Sequence, residues 1–114
     1  MTTSRPRSLA AVLMLISGVT HVAQLFVYGT AGHVIGAALF GVVYFVIGLG
    51  LSGRSRWPLW AGTVLPTIGG VLGIVRFTTM HANPFSVFHV CIDLVVVPLC
   101  IYLLRTERAR QAGT

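Results

Sequence analysis

The stretch "VFHVCIDLVVVPL" sets His89 and Asp93 one helical turn apart inside an otherwise apolar run. Nearby, "GIVRFTTMH" carries Arg76 and His81, and "SGVTHVAQLF" carries His21 and Gln24. Residues three or four apart share one face of a helix, so His21 pairs with Gln24 and His89 with Asp93. An imidazole beside a carboxylate can exchange a proton, and a guanidinium can hold an anion. No enzyme motif accompanies them. There is no nucleophile elbow, CxxC, glycine-rich phosphate loop or second acid placed to be buried. The chain therefore reads as a protein that binds or conducts rather than as an enzyme.

What must position these groups follows from composition. Of 114 residues, 55% are hydrophobic and 9% charged, against about a quarter charged in soluble domains. Such a surface faces lipid. The net charge of +6 comes from eight arginines, with no lysine, against Asp93 and Glu107. Because the arginines cluster at segment ends rather than along one polar face, nucleic acid is not expected as a partner. Cys91 and Cys100 fall on opposite sides of a helix at about 100° per residue and cannot bridge each other; they read as small packing residues. The N-terminus has the charged start and apolar core of a signal peptide but no small-x-small cleavage site, and is expected to remain as a first span.

Hydropathy divides the chain into four apolar stretches, 9–28, 33–51, 59–78 and 85–104. Each has about the twenty residues a helix needs to cross a bilayer, and none shows the alternation of a strand. Turn chemistry separates them: "YGTAGH", "SGRSRWP", and "HANPF", where Asn83 caps a helix that starts at Pro84. Arg5, Arg7, Arg54, Arg56, Arg105, Arg108 and Arg110 flank the spans at one end only, which puts both termini and the middle loop in the cytoplasm. Trp57, Trp60 and Tyr102 fit an inner aromatic belt and Tyr28 an outer one. The expectation is a single all-α domain over 1–114, a four-transmembrane-helix up-down bundle in the inner (plasma) membrane. Pairs of small residues, Gly32 with Gly36, Ala37 with Gly41 and Gly69 with Gly73, are expected where helices touch. Pro66 and Pro98 are expected to kink spans three and four. "GVTHVAQLF" and "GVLGIVRFT" are weakly alike, and their alignment sets Gln24 opposite Arg76.

In this topology His21, Gln24, His33, Arg76, His81, His89 and Asp93 all fall in the outer half. A charge at membrane depth costs about 2.5 kcal/mol or more and faces the bundle interior with a partner. His21, Gln24, Arg76, His89 and Asp93 are therefore the expected ligand- and proton-binding residues, with Arg76 and Asp93 meeting inside. His33 and His81 read as wetted interfacial residues. The preferred function is binding or translocating a small solute or proton. The alternative is an accessory or assembly subunit of a larger membrane complex, with the cluster as a structural clasp. No cofactor is expected, although His21, His89 and Asp93 are metal-ligand types and a b-type haem between His21 and His89 is conceivable in such a bundle. Beside the bilayer, a second copy or a membrane complex is the expected protein partner.

With "SGVTHVAQLF", "RSRWPLW" and "NPFSVFHVCID" in view, the layout resembles small uncharacterised four-helix membrane proteins loosely grouped as DoxX-like. The matching positions are Ser17, Gly18 and His21 in span one, the arginines of the middle loop, and Asp93 near the start of span four. Where the resemblance leads one to expect a polar amide in span three, this chain has Arg76. The resemblance implies a membrane location. The association of some DoxX members with quinone-linked oxidation complexes adds an accessory-subunit role to what it implies.

Overall fold

A computed structural model describes residues 4–112, with side chains through residue 107, as four helices: α1 (Arg5–Tyr28), α2 (Gly32–Leu51), α3 (Trp57–Thr79) and α4 (Pro84–Ala112). All four are long and apolar enough to cross a membrane. The side chains of Arg108 and Arg110 lie outside the described residues. Each boundary has a local cause. The Ser4 hydroxyl accepts from the Arg7 amide with proline in the first turn, and Gly29 closes α1 at φ 84°, a conformation glycine adopts at little cost. Asn83 accepts from the Ser86 amide at 2.9 Å just before Pro84, the cap the sequence expects.

Every neighbouring pair runs antiparallel. Arg7 meets the Leu51 carbonyl, Tyr44 meets that of Leu65, a Cβ on Gly62 would reach Cys100, and Thr20 meets His89. The bundle is a square of four lateral seams, α1 with α2, α2 with α3, α3 with α4 and α4 with α1. Among the described residues no backbones come close across its diagonals, and α2 with α3 is the thinnest seam.

Helix approach is set by particular glycines. A Cβ on Gly18 would stand 2.7 Å from the Gly41 carbonyl, and one on Gly41 would stand 2.6 Å from His21 Cβ, so α1 and α2 touch backbone to backbone. Gly69 lies against the Tyr44 hydroxyl. Gly32 and Gly36 do not behave as expected: a Cβ on either meets nothing within 4 Å, so that pair marks no helix contact. Tyr28, at the end of α1, also packs inward. It is half-buried, edge-on to His81 at 4.7 Å and to Phe85 at 5.7 Å.

The bundle divides lengthwise into two chemistries. One half holds the apolar core, with Ala10, Met14, Ile47, Leu51, Leu59 and Val96 essentially inaccessible. At its end Arg7, 2% exposed, gathers the connections together. Its guanidinium donates to the carbonyls of Leu51 (2.9 Å), Gly50 (3.3 Å) and Ser55 (2.5 Å), and pairs with Glu107 at 3.4 Å. These bonds satisfy carbonyls left over at the end of α2 and tie α1 to the middle loop and α4. Sequence patterning gives Arg7 only an orienting role. The other half of the bundle holds the polar side chains.

Candidate functional site

Arg76 occupies the last turn of α3 yet is 8% exposed. It neither reaches out to a headgroup layer nor pairs with Asp93. Its Nη1 donates to Gln24 Oε1 of α1 at 2.6 Å, and its Nε donates to His33 Nδ1 of α2 at 3.0 Å. His33, half-buried at the start of α2, is therefore part of the cluster as well as the interfacial residue its place at a span end suggests. Accepting from Arg76 also requires His33 Nδ1 to carry a lone pair. The third nitrogen, Nη2, is buried with no partner, as is Gln24 Nε2.

Asp93 lies deeper. It is 6% exposed, packed where α4 crosses Gly70 of α3, and a Cβ on Gly70 would come 3.3 Å from Oδ2. The absence of a side chain at Gly70 makes room for the carboxylate. Asp93 Oδ1 is buried without a hydrogen bond. Gly70 lies six residues before Arg76 on α3, so the backbone beside Asp93 and the backbone that carries Arg76 are at levels roughly 9 Å apart along the axis. The expected meeting of Arg76 and Asp93 does not occur.

Between these levels lie the two buried imidazoles. His21 and His89 stack with centroids 3.6 Å apart and planes 11° from parallel. His21 Nδ1 is 2.7 Å from the Ser17 carbonyl, which can only accept, so Nδ1 carries the hydrogen. Thr20 gives its hydroxyl hydrogen to the Ile16 carbonyl and can accept from His89 Nε2 at 2.7 Å. The Tyr44 ring meets His21 edge-on at 5.1 Å and closes the cluster from below. Above, the half-buried His81 is 5.8 Å from His33 and edge-on to Tyr28, forming an aromatic roof.

His21, His33, Arg76, His89 and Asp93 all line one cavity of about 240 Å³. Gln24 does not line it and acts behind Arg76. At about 30 Å³ per water, the cavity holds on the order of eight waters or one small ligand. Apart from Ser86 of α4, its remaining wall is apolar, drawn mainly from α2 and α3.

Comparison with family models, with characterised proteins and with solved structures finds no match for this chain. The chemistry of the cluster therefore rests on its own geometry. Among the described residues, no three His, Cys, Asp or Glu side chains gather closely enough to hold a metal ion. A haem iron takes axial imidazoles end-on from opposite faces, an arrangement different from the face-to-face stack of His21 on His89. What the cluster offers is a cationic donor at one level, an anionic acceptor at another, and oriented imidazoles between them.

Proposed function

We propose that this multi-pass membrane protein binds a small solute in the cavity shared by Arg76 and Asp93 and moves that solute or a proton through its polar half. One observation carries the reading. An arginine and a carboxyl group are buried in the same cavity, each keeps an unpartnered atom, and they do not pair with each other. A buried charge without a partner is expensive, and a clasp made only for stability would close Arg76 onto Asp93. A ligand that turns Nη2 and Oδ1 toward the cavity and supplies an acceptor to the first and a donor to the second removes both costs. The stacked imidazoles, each with one nitrogen fixed by a hydrogen bond, offer intermediate stations for a proton.

The proposal includes an orientation. Arg5, Arg7, Arg54, Arg56 and Arg105 belong to the end opposite the cavity, and the positive-inside rule makes that end cytoplasmic. The cavity then lies in the outer half of the inner (plasma) membrane.

The Arg76 bridge to Gln24 and His33 favours a second reading. It ties three helices together, as a clasp in an accessory subunit of a larger membrane complex would. Native mass spectrometry from mild detergent separates the two. The proposal expects a bound small molecule on the wild-type chain that is lost from both Arg76→Ala and Asp93→Asn. A bare wild-type chain that copurifies with other membrane subunits would favour the clasp.

A further inference from the structure

Granting the cavity as a binding site, its walls say how the ligand arrives. Toward the Arg7 end the α2–α3 seam is shut: the Tyr44 hydroxyl donates to the Leu65 carbonyl at 3.2 Å, and Tyr44 and Phe40 both lie against Gly69 of α3. Toward the Arg76 end the same seam parts. A Cβ on Gly36 of α2 would meet nothing within 4 Å, and one on Gly73 of α3 would meet only Val90 of α4. Leu72 on α3 and Met80 at its C-cap line the cavity and are at the same time 51% and 68% exposed. The cavity is thus open sideways, through a slot without side chains, onto the hydrocarbon. A strictly water-borne solute has no use for an apolar side slot, whereas a lipid-borne molecule needs one.

The polar groups limit the head of such a molecule. Arg76 has one uncommitted nitrogen, Nη2, because Nε and Nη1 are already taken by His33 and Gln24. Its two hydrogens suit a single carboxylate group. Asp93, deeper in the same cavity with Oδ1 unpartnered, sets a second carboxyl group beyond the head and disfavours a head with a further acidic group. Size adds a limit, since about 240 Å³ admits a small head and the start of one chain. We infer that the ligand is a single-chain carboxylic acid taken from the bilayer, with its head at Arg76 and its tail leaving between Gly36 and Gly73. The inference rests on the binding reading above and adds the ligand class and its route.

The test uses the purified full chain in phosphatidylcholine vesicles, labelled by a diazirine-bearing palmitate. Labelling is expected to saturate and to be displaced by palmitate, but not by butyrate or hexadecanol, which lack the chain or the acid. Arg76→Gln removes a charge-assisted contact and should lower specific labelling by about tenfold or more. Gly36→Leu fills the slot from a position where a side chain meets nothing, so the protein folds and labelling drops comparably. If butyrate displaces the probe as well as palmitate does and Gly36→Leu labels normally, the cavity stands as a site but the lateral acid does not. If hexadecanol displaces the probe as well as palmitate does, the acid head is wrong. Labelling that never saturates and is equal in every variant overturns both the ligand and the site.

Discussion

Gln24 Oε1 accepts a 2.6 Å hydrogen bond from Arg76 Nη1 across a diagonal of the bundle, between helices whose backbones do not approach each other. The bond converts a costly buried cation into a cross-strut and leaves one guanidinium nitrogen for other work. Gln24→Leu would strand Nη1 beside the already unpartnered Nη2. The expected loss is about 1–3 kcal/mol in reversible unfolding from detergent, together with weaker retention of any bound ligand.

The close α1–α2 crossing gives a steric prediction with an internal control. Gly18→Val places carbons where the Gly41 carbonyl and Phe45 backbone already stand, and should cost about 1–3 kcal/mol. Gly36→Ala adds a methyl group into open space and should stay within about 0.5 kcal/mol of wild type. Thermal melts in one detergent would compare the two. Equal effects would mean that the crossing is looser than described.

Arg7→Ala removes the donor for three carbonyls and leaves Glu107 without its guanidinium. A loss of about 2–4 kcal/mol is expected. Arg7→Lys should restore little of it, because an ammonium cannot reproduce the planar fork that reaches several acceptors together. The readout is the midpoint of detergent-induced unfolding.

Topology has its own check. After Cys91→Ala and Cys100→Ala, a cysteine at Thr30 should react with a membrane-impermeant maleimide added to intact cells. One at Gly53 should react only after the membrane is opened. The reverse pattern would put the cavity on the cytoplasmic side.

The helices were legible because lipid imposes a length: each apolar run of about twenty residues became one helix. The α4 helix continues past its apolar run to Ala112, because a helix does not need apolar residues once it has left the hydrocarbon. The buried polar residues were legible for a related reason. His21, Gln24, Arg76, His89 and Asp93 are too costly to face lipid, and all are buried. Their partners were not legible. Whether Arg76 meets Asp93 or Gln24 depends on helix rotation and on a height difference of about 9 Å, neither of which is written in spacing along one helix. His33 and Arg7 sit at span ends, where water and headgroups explain a polar residue equally well, so nothing marked them as bonded inside. Gly32 and Gly36 carry the spacing of a helix contact but line open space, since small residues permit approach without requiring it.

A double-mutant cycle on Arg76→Gln and Asp93→Asn, read as unfolding free energy of ligand-stripped protein, bears most directly on whether these two side chains serve a cavity or each other. Unpaired groups standing apart should give nearly additive effects, with a coupling below about 0.5 kcal/mol. A coupling of about 2 kcal/mol or more would mean that guanidinium and carboxylate are bound to one another, and the shared ligand site would have to be abandoned.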